Sequence, residues 1–341
     1  VPPNSCAAAN AASPSSRRAK KEVLPSALQR RASHRCDQYQ QRTADYDRGV
    51  SLDGFVVSVS GPLKQASAAR PHSRLHWVCA NVAWAFALFA RKPKFSRTPR
   101  WRASLRLATG AAVGVAIVAV TMIVLDAPAA TAAQRAPVWL SEIFDHITEF
   151  GKSVWFLVPI ALALAAIAVL ASPALPRMSQ RVLAAVAVRI GFLFLAIGLP
   201  GLVFTVGKRL IGRARPFVEG SANPLIYRPL GWSVEYASLP SGHAVDAFAA
   251  AMAIGLLWPR MRPLMWTYAV VIAVSRVVLT AHFPSDVMVG AVVGVVGVLL
   301  VRDWYAARGL AFVVGADGTV RPMPGPSLTR IKRVARALIA P

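Results

Sequence analysis

Apolar runs that read as membrane spans, with basic residues gathered in alternate connections, constrain this chain more than any other feature. They are Leu107–Leu125, Ser153–Ala171, about Val182–Val206, the short run Ala244–Trp258, Leu264 to about Ala281, and Val287–Val301. A hydrocarbon core of roughly 30 Å asks for about 20 residues of helix, and in lipid each backbone polar group must be satisfied within its own segment. The expected fold is therefore all-α, an integral membrane six-helix transmembrane bundle. Overall composition agrees. With 55% hydrophobic residues and a mean hydropathy of +0.47, the chain is more apolar than a soluble globule, whose apolar share is roughly 45–50%.

The formal charge of +24, from 39 Lys and Arg residues against 15 Asp and Glu, raises nucleic acid as a partner. The cations are not gathered on an amphipathic face or in a nucleic-acid motif, so no nucleic acid is expected. They cluster in both tails and between apolar runs, as the positive-inside bias requires, with attraction to anionic lipid heads as a further contribution. Arg91, Lys92, Lys94, Arg97, Arg100, Arg102 and Arg106 precede the first run. Arg177 and Arg181 follow the second, Arg260 and Arg262 the fourth, and Arg302 the sixth. This arrangement predicts a multi-pass protein of the inner (plasma) membrane with both termini cytoplasmic.

Residues 1 to about 75 lack sustained periodicity and predict a disordered, basic tail. The chain begins on Val1, and this stretch is read as an over-extended or truncated start. Val1–Ser16 has no basic start followed by an apolar stretch and does not read as a secretory signal. Cys6, Cys36 and Cys79 are too few and too irregular for a disulfide framework or a zinc pattern. His76–Ala90 is apolar but would reach only about 22 Å as a helix, which suits an interfacial position. Val138–Phe150 places Trp139, Leu140, Ile143, Phe144, Ile147 and Phe150 at helical spacing, predicting an amphipathic helix on the outer surface. The loop that carries it, from Asp126 to Lys152, is net acidic and expected outside.

Against this layout three clusters stand out: Lys208 with Arg215-Pro216, then Pro240-Ser241-Gly242-His243, then Ser275-Arg276 followed by His282 and Asp286. The six-span trace puts Lys208, Arg215, His243, His282 and Asp286 at outer helix ends, with Arg276 just inside the fifth span. Ionisable groups at such depths are costly, so a functional site is the default reading. Phosphoryl transfer needs donors aimed at the oxygens of the transferring group. Lys208, Arg215 and Arg276 supply charge, while the Ser241 hydroxyl and Gly242 N–H complete a phosphate cradle. A neutral histidine whose other nitrogen faces a carboxylate attacks phosphorus well. That assigns His282 as nucleophile and Asp286 as its partner, and leaves His243 as general acid. The scheme needs no metal and no cofactor.

The pattern Lys208-x6-Arg215-Pro216, Pro240-Ser241-Gly242-His243 and Ser275-Arg276-x5-His282-x3-Asp286 resembles the three-part signature of the type 2 phosphatidic acid phosphatase superfamily. It matches every defining position, with Leu239 the one departure, where many relatives carry Phe. The resemblance implies a metal-independent acid phosphatase that acts on lipid phosphates at the external face through a phosphohistidine, with the same residues in the same roles. It divides the chain into a tail at 1–104 with an interfacial helix at 76–90, a six-span catalytic domain at 105–302, and a basic cytoplasmic tail at 303–341. Candidate substrates are phosphatidate, phosphatidylglycerophosphate, a polyprenyl diphosphate and a glycolipid phosphate. A lipid phosphotransferase, a vanadium-dependent haloperoxidase and a non-catalytic lipid-binding or transport protein stay open as alternatives.

Other residues receive plainer readings. Arg209 and Arg213 are taken as lipid-headgroup anchors, and Gly290, Gly294 and Gly297 as helix packing. His146, His34, His72 and His76 are not expected to be catalytic. Gly220–Leu239, with Tyr227, Trp232 and Tyr236, is expected to cover the site.

Overall fold

The computed structural model describes residues 74–93, 101–172, 174–315 and 318–339. The expectations for residues 1–73, including Cys6 and Cys36, and for Lys94, Arg97 and Arg100 lie outside the described residues. The elements are α1 (Arg74–Phe89), α2 (Trp101–Val124), α3 (Asp126–Gln134), α4 (Val138–Glu149), α5 (Val154–Leu170), α6 (Arg177–Ile211), α7 (Gly242–Leu257), α8 (Arg262–Val278), α9 (Pro284–Ala307), β1 (Phe312–Val314), β2 (Val320–Pro322) and α10 (Leu328–Ile339).

The molecule is mostly helical and membrane-spanning. Among the described residues four helical stretches are long and apolar enough to cross a membrane: Val138–Leu170, Arg177–Ile211, Pro259–Val278 and Pro284–Ala307. A fifth follows if the bent pair α2–α3 counts as one span. The expected count of six is not confirmed by helix length, because α7 has only 16 residues and reaches about 24 Å. The fold is also not purely helical. Beyond α9 the chain forms a two-stranded antiparallel hairpin with Phe312 opposite Pro322, followed by α10, where a plain tail was expected. Buried Phe312 alternates with exposed Val313 on β1, and Gly315 and Gly318, the latter at φ 76°, lie between the two strands and allow the reversal. Ile331, Val334 and Leu338 form the apolar stripe that seats α10 against Val182 and Leu183 of α6.

At the centre lies α7, whose face is almost all alanine. Ala244, Ala247, Ala249, Ala250, Ala251 and Ala253 are fully buried. Small side chains let neighbouring backbones close in where no hydrophobic driving force operates between helices in lipid. Gly290 and Gly294 of α9 complete the seam: a Cβ at Gly290 would lie 2.7 Å from Ser241 O, and one at Gly294 would lie 2.4 Å from Val245 O. This close approach seats the start of α7 on the start of α9, and Ser241 N donates to Asp286 O at 3.1 Å. The packing role read for these two glycines is what they perform, and Gly297 likewise faces Pro200 of α6.

The helix α2 breaks at Leu125, where α3 leaves at 50°. Pro128 accounts for the break, because it has no N–H for the carbonyl four residues earlier and its ring crowds that carbonyl. The bend carries Asp126 into the interior, where it is fully buried. The expectation that Asp126 is an outer-loop acid is corrected by this. At the other end of the bundle α1 docks on its neighbours. Asn81 Nδ2 donates to Ala168 O and Ala171 O at the end of α5, satisfying carbonyls that a helix terminus leaves open. Phe89 stacks on Trp304 of α9 at 5.3 Å.

Candidate active site

Four helix ends meet at one end of the bundle. The last turn of α6 carries Lys208, the first turn of α7 follows Ser241, the last turn of α8 carries Arg276, and the first turn of α9 carries Asp286. Alternation of chain direction places all four on the same side, so the residues singled out from the sequence converge although they span residues 208–286.

Gly212 ends α6 in the left-handed region at φ 66°, the usual terminus where a side chain would be strained. A Cβ there would sit 1.9 Å from Arg228 O, so only glycine lets the returning chain cross. The next residues run between two strips of the loop: Ala214 N donates to Ile226 O, Arg215 N to Glu235 O, and Ser238 N to Arg213 O. This clamp aims Arg213 and Arg215 into the bundle end. Trp232 at the loop tip is 83% exposed, whereas Tyr236 is buried, with its hydroxyl donating to Glu219.

Arg213 is the largest fully buried side chain among the described residues, and its reading as a headgroup anchor is wrong. Its Nη1 donates to Asp286 Oδ1 at 2.5 Å and to Ser285 Oγ at 2.8 Å, its Nη2 to Asp126 Oδ2 at 2.7 Å, and its Nε to Pro224 O at 3.0 Å. The Phe283 ring packs on the guanidinium at 4.7 Å. Burial opposes the charge, but Asp286 and Asp126 outweigh it and raise the Arg213 pKa above its ordinary value. A planar fork that serves two carboxylates at once is a task for arginine.

Asp286 does not meet His282 directly. His282 Nδ1 lies 3.9 Å from Asp286 Oδ2, beyond hydrogen-bond range. Ser238 stands between them: its Oγ donates to Asp286 Oδ2 at 2.6 Å and lies 3.4 Å from His282 Nδ1. A hydroxyl has one proton to give. Since Ser238 gives it to Asp286, the contact with His282 requires the proton on Nδ1, which leaves the Nε2 lone pair free. Asp286 Oδ2 also accepts from Phe283 N at 3.0 Å, fixing the start of α9 around Pro284 as a capping box does. Burial, then Arg215, Arg276 and His243, hold the His282 imidazole well below its usual pKa, so the ring is neutral.

The remaining donors line the same space. Lys208 shares a crevice with Pro240, Gly242 and Val245 and lies within electrostatic reach of Arg215. Arg215 has its pKa lowered, first by burial. Arg276 Nη1 donates to Thr148 Oγ1 at 2.8 Å, which ties α4 to the site. The turn between α4 and α5 closes one wall. A Cβ on Gly151 would come 2.9 Å from His243 Cδ2, so the backbone lies on the imidazole, and Ser153 N donates to Asp246 at 3.2 Å one turn further along α7.

Buried side-chain atoms without a hydrogen-bond partner are costly and call for an explanation. Among the described residues there are five, and three of them are Arg215 Nε, Ser241 Oγ and Arg276 Nε. The other two, Arg181 Nε and Tyr305 Oη, belong to the opposite helix ends. Three of the five sequence-assigned phosphate ligands thus carry buried polar atoms with nothing in the protein to bond. A tetrahedral oxyanion offers the acceptors that the two N–H groups and the hydroxyl lack. Among the described residues, no group of three His, Cys, Asp or Glu side chains is placed to hold a metal ion.

The sequence profile of the PAP2 superfamily matches residues 189–310. The lipid A 1-phosphatase of Rhizobium etli is 32% identical over 220 residues, covering 64% of this chain and 91% of that protein. The chain belongs to the PAP2 superfamily. The lipid A 1-phosphatase of Rhizobium johnstonii is 30% identical over 247 residues, covering 72% of this chain and 95% of that PAP2 relative. The crystal structure of Aquifex aeolicus LpxE covers 52% of this chain and 94% of its own, at 21% identity and a TM-score of 0.38. The family match and the two Rhizobium relatives make this chain a membrane phosphatase of the PAP2 type.

Sequence reasoning missed Asp126, Arg213, Ser238 and Ser285. Asp126 lies upstream of the PAP2 match, and its signal was a lone carboxylate at the end of an apolar run followed by Pro128. Ser238 sits just before the Pro-Ser-Gly-His run with no spacing rule to mark it. Arg213 was hidden among Lys208, Arg209 and Arg215.

Proposed function

We propose that this protein hydrolyses the phosphate ester of a membrane lipid through a phosphohistidine on His282, without a metal. The observation that carries this reading is the set of unpartnered buried donors, Arg215 Nε, Ser241 Oγ and Arg276 Nε, facing a neutral histidine whose Nδ1 proton is fixed by Ser238. In the first step His282 Nε2 attacks phosphorus, the bond from phosphorus to the lipid oxygen breaks, and His243 gives its proton to that oxygen. In the second, water attacks phosphorus, His243 takes the water proton, and the P–N bond breaks to release inorganic phosphate. Lys208, Arg215, Arg276, Ser241 and Gly242 hold the equatorial oxygens throughout.

The basic ends Arg177, Arg260, Arg262 and Arg302 lie opposite this site along their helices, which supports a plasma-membrane protein with cytoplasmic termini and the site on the external, periplasmic face. A bundle of six spans follows if α2–α3 and the short α7 each cross. The loop Gly220–Leu239 then lies over the headgroup entrance.

Two relatives are lipid A 1-phosphatases, which makes a glycolipid phosphate the substrate to test first. The purified protein in detergent with EDTA is expected to release phosphate faster from lipid A carrying a 1-phosphate than from phosphatidate, phosphatidylglycerophosphate or undecaprenyl diphosphate. Release from none of the four contradicts the reading, and loss of release on adding EDTA contradicts its metal-free chemistry.

A further inference from the structure

Asp286 faces a cation as well as a histidine. Arg213 Nη1 lies 2.5 Å from Asp286 Oδ1 with both side chains fully buried. A single ion pair there would cancel the carboxylate's charge beside His282. The other charged or titratable groups around that ring are Arg215 from the loop after α6, His243 from α7 and Arg276 from α8. Each of them disfavours positive charge on the imidazole, which a phosphohistidine must carry as it forms.

Asp126 changes this balance. It enters from the bend between α2 and α3, its Oδ2 accepting from Arg213 Nη2 at 2.7 Å and from Ser285 Oγ, and its Oδ1 accepting from Ser285 N at 2.9 Å. Ser285 directly precedes Asp286, so Asp126 grips both the cation and the first turn of α9. One guanidinium between two carboxylates leaves one net negative charge. In a buried site that charge is weakly screened and reaches His282 through the Asp286–Ser238 contacts.

We propose that Asp126 is a positioning residue of the phosphatase: by taking up the charge of Arg213 it keeps Asp286 effectively anionic toward Ser238 and His282. The proposal rests on His282 being the nucleophile. It gives a residue far upstream of the signature a role in the chemical step without contact to substrate.

Asp126→Asn keeps the shape and removes the charge. Its kcat for phosphate release is expected to fall by roughly 10- to 100-fold, the size of loss that removal of an outer-shell partner produces, while KM and inhibition by orthovanadate stay near wild type. Removing a negative charge favours the neutral ring, so the acid limb of the kcat/KM profile, set by protonation of His282, moves to lower pH. A purely structural role would lower activity without moving that limb. The double variant Asp126→Asn/Arg213→Gln removes one charge of each sign and is expected to recover part of the lost kcat. The proposal is overturned by a kcat for Asp126→Asn within about twofold of wild type, by an unmoved acid limb, by a double variant no faster than the single one, or by both variants failing to fold. Turnover retained in His282→Ala removes this proposal together with the nucleophile assignment, whereas a silent Asp126→Asn in an enzyme that needs His282 removes this one alone.

Discussion

His282→Ala is expected to lower phosphate release by at least roughly a thousandfold, the loss typical when a covalent nucleophile is removed, and to leave only what the cradle itself achieves. The protein should still insert and unfold at a midpoint close to wild type. His282 lies between α8 and α9, outside the alanine seam of α7 and its glycine partners, and meets Ser238 Oγ at 3.4 Å. Losing that contact costs little stability. Losing the Nε2 lone pair removes the proposed nucleophile. The check is phosphate release per mole of correctly inserted protein, and turnover within tenfold of wild type would remove His282 from the mechanism.

The largest stability effect is expected at Arg213. Its side chain and those of Asp126 and Asp286 are all fully excluded from solvent. Arg213→Met fills most of the volume but leaves two carboxylates buried beside each other with no cation. Breaking a buried ion pair by removing one partner costs about 3–5 kcal/mol. Here a single substitution strips both acids. Arg213→Lys is no remedy, because a point charge on a flexible stem cannot serve Asp126, Asp286, Ser285 and Pro224 together as the fork does. Denaturant or thermal unfolding of the purified protein in detergent reads the effect; a midpoint unchanged by Arg213→Met would contradict the network's weight.

These two residues mark the boundary of what was legible in the chain. His282, His243, Asp286 and the cradle residues were readable because their spacing, combined with the basic ends of the apolar runs, assigns them to one membrane face. Charge counting alone could not read Asp126 or Arg213. It treats an acid after an apolar run as loop and an arginine at a helix end as anchor, while a bend at Pro128 and the clamp around residues 213–215 bring the two together inside the protein. Ser238 was invisible for a related reason. A serine becomes a relay only through two distances, to Asp286 and to His282, that no local pattern encodes.

The helices show the same contrast. The long apolar run at about Val182–Val206 was plain from hydropathy and lies within α6, whereas α7 is shorter and buries its alanines against neighbouring helices. In the C-terminal tail, net charge concealed an amphipathic stripe, Ile331, Val334 and Leu338, that packs on α6.

The central claim is that phosphorus is bonded to His282 between the two steps. Rapid acid-free quenching of the enzyme during turnover of a phosphate-labelled lipid, followed by mass spectrometry of its peptides, tests this most directly. A phosphoryl group on His282 that is acid-labile, stable to alkali and absent from His282→Ala is the expected result. A label found on another residue, or steady turnover with no label on the protein at any time point, would contradict it.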